Sequence, residues 1–192
     1  MKKLFVLLFF CSITAQAQLS SYRYKQALEN LNQSGWHSLT LPITIFDRME
    51  SYNDLRIYGI SVTDTIEVPY MMADTVVATQ TITHFAVKND KASKHTIIDV
   101  KLPEILLLGK VAIHPATTYD YYRSVKILQN ETTDDTYLSN VAKGVLNSKG
   151  NNTYTFSSQL FKHLQIDIDN QDNTPLAISE ITLFPITYKL PA

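Results

Sequence analysis

Apolar side chains recur at every second residue in most of this chain, and this spacing limits the folds that the chain can adopt. The clearest example is Leu164, Ile166 and Ile168, which alternate with polar residues over 164–169. A period of two is typical of a β-strand that buries one face. Polar, turn-forming stretches separate such segments at 89–94, 130–135, 147–152 and 169–174. The pattern predicts an all-β sandwich of about ten short strands.

The last predicted strand changes phase. Leu176 and Ile178 share one face, but the next apolar pair, Ile181 and Leu183, begins three residues after Ile178. A one-residue bulge near 179–180 would bring both pairs to the core. The alternative is a strand that is buried on both faces at one end.

The N-terminal part of the chain has weaker signals. Pro42 predicts one or two helical turns directly after it, since proline is favoured at an early helical position. Tyr24, Leu28 and Leu31 have helical spacing but also fit a strand followed by a turn. Trp36, the only tryptophan, is expected in a core strand, with ligand contact as the alternative. We therefore expect at most one or two short helical turns.

Residues 1–17 have the pattern of a signal peptide. Two lysines precede an apolar run over 4–13, which is too short to span a bilayer. A small-x-small sequence at 15–17 predicts cleavage before Gln18, with an uncleaved anchor as the alternative. We expect a periplasmic or secreted protein.

The mature chain is expected to be one domain over 18–192, with its weakest internal boundary near 89–94. Cys11 is the only cysteine, and Phe10 precedes it where a lipidated cysteine normally follows a small residue. Cleavage before Gln18 removes Cys11, so the mature domain is expected to fold without a disulfide. We expect no transmembrane segment in it, because no later apolar run approaches the length of a membrane span.

Composition argues against several classes of function. The 17 basic and 18 acidic residues give a net charge of −1, so nucleic-acid binding is not expected. The 5 glycines form no phosphate-binding loop, and no Gly-x-Ser-x-Gly sequence is present. The 5 histidines include no His-x-x-x-His pair. The sequence predicts no enzyme, no metal site and no cofactor.

One acidic run has two interpretations. Asp167, Asp169 and Asp172 concentrate the oxygen ligands that Ca²⁺ prefers. The run lacks the glycine of a helical calcium loop and lies between two predicted strands. Asp and Asn also favour plain turns, so a connecting turn is the expected structure and calcium binding the alternative.

A tyrosine cluster forms the candidate ligand site. Tyr119 and Asp120 precede a predicted strand that Tyr122 begins. Alternation places Tyr121 and Arg123 on the core side of that strand and Tyr122 on the other. Sugar-binding sites combine an aromatic face with polar groups for hydroxyls, which Tyr119, Asp120 and Tyr122 would supply. The alternative is that these rings cover the edge of the core.

Two sets of short motifs resemble known families. The first set is 36–42 (WHSLTLP), 53–58 (NDLRIY) and 68–70 (VPY). It resembles the opening of an uncharacterised family of bacterial envelope proteins, a domain of unknown function. The second set is 121–127 (YYRSVKI), 164–168 (LQIDI) and 173–178 (NTPLAI). It is similar to the same family and, more loosely, to galactose-binding-like (discoidin-type) jelly rolls.

The resemblance implies a galactose-binding-like jelly roll, and none of its motifs is catalytic. The discoidin-type relatives usually join the ends of the domain by a disulfide, which the mature chain cannot form. We therefore expect an exported, non-catalytic binding module of the cell envelope that recognises a glycan or a partner protein. The alternative is a structural or assembly subunit of an envelope complex with no small-molecule ligand.

Overall fold

A computed structural model of this chain describes residues 22–29, 31, 34–46, 48–49, 51–76, 78–131 and 137–191. The predicted signal peptide, Cys11 and the cleavage site before Gln18 lie outside the described residues. The chain divides into two compact units, Met1–Gly35 and Trp36–Ala192. The expected single domain over 18–192 stays a prediction.

The described residues of the first unit contain no helix or strand. Tyr24, Leu28 and Leu31 lie in this part of the chain, and all three side chains are exposed. Neither the helix nor the strand that their spacing suggested is present among the described residues. Helical spacing of three apolar side chains does not by itself stabilise a short helix.

The described part of the second unit is built almost entirely from β-strands. Its strands are β1 (Ser38–Thr40), β2 (Ile57–Ile60), β3 (Thr65–Val68), β4 (Ala73–Val76), β5 (Gln80–Ile82), β6 (Ala86–Asp90), β7 (His95–Pro115), β8 (Tyr122–Asn130), β9 (Ser139–Asn147), β10 (Thr153–Asp169) and β11 (Ile178–Pro191). Two short 3-10 helices, Ile43–Ile45 and Tyr52–Asp54, are the only helical turns in the residues described. The predicted all-β sandwich with one or two helical turns is confirmed.

The strands form one large antiparallel sheet and one small hairpin. The order in the large sheet is β1-β11-β7-β10-β8-β9, while β4 and β5 also pair with β11 and β6 pairs with β7. β2 and β3 pair only with each other among the described strands. Residues 89–94, the predicted weakest boundary, join the hydrogen-bonded strands β6 and β7.

β7 and β10 run through both halves of the large sheet. Residues 95–101 of β7 pair with residues 163–169 of β10, and residues 106–112 pair with residues 153–161. The first half is continued by β6 and β8, and the second half by β11. Two register shifts interrupt the ladder between β7 and β10. These two strands therefore connect the halves of the sandwich.

One core takes side chains from both halves. Its buried members are Ile98, Val100, Leu102, Leu106, Leu108, Val111, Ile113, Tyr121, Val125, Ile127, Leu146, Tyr154, Phe161, Leu164, Ile166, Ile168, Leu176, Ile181 and Leu183. In the middle of β8, β10 and β11 these positions recur at every second residue, which is the alternation that predicted the strands. The core therefore holds the two halves of the sheet together.

The lengths of β7 and β10 were predicted wrongly. The sequence predicted short strands, whereas β7 has 21 residues and β10 has 17. In the middle of β7 the alternation is lost because three consecutive residues, Leu106, Leu107 and Leu108, are all buried. Leu107 lies outside the core cluster and lines a separate depression.

The predicted bulge in the last strand is confirmed. The pairing of β11 with β7 shifts register between Ile178 and Glu180. Leu176, Ile181 and Leu183 are all buried, and Ile178 packs against the same core. The extra residue therefore restores the inward direction of the apolar side chains.

Near the start of this unit, one prediction is confirmed and another is wrong. Pro42 immediately precedes the 3-10 helix Ile43–Ile45, as its position in the sequence predicted. Trp36 is 76% exposed rather than part of a core strand. β1 begins only at Ser38 and has three residues, so it does not carry the indole into the core.

Candidate ligand-binding site

Three connections of the sandwich surround an open depression of about 380 Å³. They join β7 to β8, β9 to β10 and β10 to β11. The depression is lined by Tyr119, Asp120, Tyr121, Tyr122, Arg123, Asn147, Ser148, Lys149 and Asn173. The first two connections are neighbours because β8 and β9 are antiparallel, with Tyr122 opposite Asn147. The structure thus brings all three predicted site residues to one place.

The start of β8 separates the cluster into two groups. Tyr121 and Arg123 are buried, whereas Tyr122 is 65% exposed, so the division predicted from alternation is confirmed. Tyr119 precedes the strand and is 48% exposed. Tyr121 alone behaves as the alternative interpretation expected, as a ring that covers the core. Tyr119 and Tyr122 leave ring surface available for stacking.

Asp120 lies at the rim with a largely exposed carboxylate. Its Oδ1 accepts a hydrogen bond of 2.9 Å from the Ser148 hydroxyl. Its Oδ2 lies 4.0 Å from the Lys149 Nζ, and both of these side chains are 80% exposed. A carboxylate with two oxygens retains acceptor capacity beyond these two contacts. Asp120 is therefore oriented and still able to accept hydrogen bonds from ligand hydroxyls.

Asn152 organises the loop that forms one wall of the depression. Its Oδ1 accepts a hydrogen bond of 2.8 Å from the Asn147 backbone N–H, and its Nδ2 donates to the Tyr121 hydroxyl at 3.1 Å. Its φ of +47° lies in the left-handed region, which asparagine tolerates better than most residues. In the sequence, residues 147–152 are recognisable only as a turn, and their place in the site was not predicted.

A close fit between β9 and β10 supports the same loop. A Cβ on Gly144 would lie 2.6 Å from a ring carbon of Tyr154, so only glycine leaves room for that ring. The Tyr154 hydroxyl donates to the Val145 carbonyl at 2.9 Å, and burial raises the pKa of Tyr154. The side chain of Tyr154 therefore holds β10 against β9 beside this loop.

Arg123 was not among the three site residues predicted from the sequence. It lines the depression, yet only 7% of it is exposed. Its Nη1 donates to the Tyr122 carbonyl at 2.9 Å. Its buried Nε has no hydrogen-bond partner among the residues that the structure describes. Alternation predicted the burial of Arg123 but not the lack of a partner.

The acidic run spans the end of β10 and the turn that follows: Asp167 and Asp169 belong to the strand, and only Asp172 lies in the predicted connecting turn. Asp172 pairs with Lys94 at 2.5 Å, and this hydrogen bond lowers the pKa of Asp172. Asp167 lies 3.7 Å from the Lys126 Nζ, and Asp169 accepts a backbone hydrogen bond within the turn. The three carboxylates thus have different partners. Among the described residues, no group of three or more His, Cys, Asp or Glu side chains is arranged to hold a metal ion.

A larger depression of about 520 Å³ contains none of the predicted site residues. It lies beside the buried side chains of Leu107 and Leu160 and is also lined by Phe46 and Met49. Glu131 is the one titratable side chain among its described lining residues. Its lining offers fewer groups for recognising a polar ligand than the tyrosine site does.

Comparisons with known proteins give no family for this chain. No protein-family model matches it, and no curated protein matches it. The resemblance to an uncharacterised envelope family therefore stays a prediction. Within the described residues, no helix has the length and apolar character needed to cross a membrane.

Several solved structures are similar to part of the chain. One is a CBM32 module of AlyQ in complex with 4,5-unsaturated mannuronic acid, with 12% identity and a TM-score of 0.37 over 60% of this chain and 92% of that one. Another is the C-terminal domain of a chitobiase from Bacteroides fragilis, with 12% identity and a TM-score of 0.41. The match covers 59% of this chain and 94% of the chitobiase domain. A third is a CBM32 module from Clostridium perfringens, with 10% identity and a TM-score of 0.38. The match covers 56% of this chain and 93% of that module. With TM-scores below 0.5, these similarities assign no ligand to this chain.

Proposed function

We propose that this chain is an exported, non-catalytic binding module of the cell envelope that holds a glycan in the depression around Tyr119, Asp120 and Tyr122. The observation that carries the proposal is the position of two exposed tyrosine rings beside an oriented carboxylate. Rings of this kind stack on the apolar faces of sugars, and carboxylate and amide groups bind the hydroxyls.

The surroundings of the depression suit binding without large rearrangement. The connecting loops lie on a buried sandwich, and the hydrogen bonds of Asn152 hold the wall between β9 and β10. Ordering a loop on binding costs free energy, so a wall that is already ordered favours affinity. Asn147 and Asn173 add amide groups at the edge.

Replacing Tyr119 or Tyr122 with alanine is expected to weaken glycan binding without unfolding the protein. Loss of a stacking ring costs about 1 kcal/mol or more, which is about fivefold or more in Kd. Tyr122 is 65% exposed and Tyr119 is 48% exposed, so we expect only a small change in melting temperature. A glycan array identifies a ligand, and calorimetry with that ligand then measures Kd for each variant.

The matched control for these variants is Tyr137→Ala. Tyr137 is 84% exposed and lies in the connection after β8, whereas the depression adjoins the start of β8. This control should change neither binding nor stability. If Tyr119→Ala and Tyr122→Ala lower the melting temperature but leave binding per folded molecule intact, the glycan site is wrong.

A structural or assembly subunit is the second candidate, and the β2–β3 hairpin favours it. Ile60, Val62 and Ile66 are each more than 60% exposed on this hairpin. Exposed apolar side chains of this kind are available for contact with a partner protein. An empty glycan array, together with a partner recovered from an envelope extract that depends on these side chains, would favour this candidate over glycan binding.

We also propose that the chain is exported to the periplasm or the medium after cleavage before Gln18. The lysines and apolar run of 1–17 support this proposal. Mass spectrometry of the protein from the periplasm or medium should find an N-terminus at Gln18. A lipid-modified Cys11 in the membrane fraction would contradict this cleavage site.

A further inference from the structure

We infer that the depression selects acidic glycans and that the Arg123 guanidinium pairs with the carboxylate of a hexuronate residue. The inference rests on the proposed glycan-binding function and specifies the class of sugar. It depends on the burial of Arg123, its missing partner and the charges around it.

Arg123 is a buried cation that the protein itself satisfies only in part. Only 7% of the residue is exposed, and among the described residues its guanidinium has a single hydrogen bond, to the neighbouring Tyr122 carbonyl, so it has lost water without gaining an equivalent set of acceptors. None of the ion pairs among the described residues includes Arg123. A buried charge without a counter-ion destabilises a protein. An anionic ligand in the adjacent depression would remove that penalty.

Asp120, the one carboxylate among the described lining residues, forms no ion pair with Arg123. Asp120 accepts from Ser148 and lies next to Lys149, on the exposed rim. Arg123 and Lys149 together outweigh Asp120, so the titratable groups that line the depression, apart from the tyrosines, have a net charge of +1. A ligand with one carboxylate therefore meets a positive site.

The shape of the guanidinium favours a carboxylate over a single hydroxyl. Its N–H groups form a planar fork that matches the two oxygens of a carboxylate. The exposed rings of Tyr119 and Tyr122 lie in the same depression and are available to stack on the sugar ring. A hexuronate supplies both features in one residue, which a neutral hexose or a simple organic acid does not.

The first test compares acids with their esters on the unmodified protein. Trisaccharides of galacturonate, glucuronate and mannuronate, each also as its methyl ester, are titrated by calorimetry. At least one acid should bind about 10- to 100-fold more tightly than its ester, because the ester keeps the shape and removes the charge. Equal binding of acid and ester, or preference for neutral glycans that depends on Tyr119, overturns the inference but leaves the proposed function. Binding of no glycan at all overturns both.

The second test uses Arg123→Met, which keeps an apolar stem of similar length. The variant should lose the preference for the acid over the ester, and its own melting temperature should stay the same or rise because an unpaired buried charge is gone. Retention of the preference contradicts the inference. The control is Arg56→Met, which removes a positive charge from an exposed ion pair with Glu67 and should leave the acid-to-ester ratio unchanged. If Arg123→Met fails to fold, the acid and ester comparison on the unmodified protein decides.

Discussion

Phe161→Ala is expected to lower the free energy of unfolding by about 3–5 kcal/mol. Phe161 is fully buried on β10, and its ring lies 5.6 Å from the ring of Phe156. It sits where β10 changes register against β7, between the two halves of the sheet. Removing the ring opens a cavity at that position, and urea denaturation monitored by circular dichroism measures the cost.

Phe184→Ala is the matched control for this experiment. Phe184 lies on β11 outside the core cluster, and the Lys110 Nζ is 4.0 Å from the centre of its ring. Loss of such a contact costs about 1 kcal/mol or less. Similar losses for Phe161→Ala and Phe184→Ala would mean that Phe161 does not lie in a shared core.

Ile166→Ala is expected to cost about 2–5 kcal/mol of unfolding free energy. Ile166 is fully buried in the middle of β10, with Ile98 opposite on β7 and Ile127 opposite on β8. The free space left by alanine borders rigid strands on both sides, so little of it can close. Chemical denaturation and the shift in melting temperature both report the effect.

The neighbouring residue on the other face of β10 supplies the comparison. Gln165 donates a hydrogen bond of 2.9 Å to Asp99, so Gln165→Ala should cost about 1 kcal/mol. A cost for Gln165→Ala as large as that of Ile166→Ala would contradict the assignment of Ile166 to the core face of the strand.

Local patterns predicted the strands whose two faces have different surroundings. β8 and the second half of β10 alternate between buried and exposed or half-buried positions, and both were recognised from period-two spacing. The bulge in β11 was predicted from a three-residue step between apolar pairs. These features can be predicted because a strand with one buried face has apolar residues at every second position.

Other elements were not predictable because their surroundings are set by distant segments. β7 continues through the buried run Leu106–Leu108, where both faces are covered and the alternation disappears. Trp36 was expected in the core, but the strand that follows it has three residues and starts too late to bury it. A hydrophobic side chain is buried only when another element covers it.

In the candidate site, the cluster of Tyr119, Asp120 and Tyr122 is contiguous in the chain and was predicted from the sequence, as was the side of β8 on which Tyr121, Tyr122 and Arg123 lie. Strand alternation is a local property, so the burial of Arg123 could be predicted from it. The loops that surround the cluster, and the lack of a carboxylate partner for buried Arg123 among the described residues, became visible only in the folded protein. Partners of a buried charge come from segments far apart in the chain, and the spacing of residues along one strand contains no information about them.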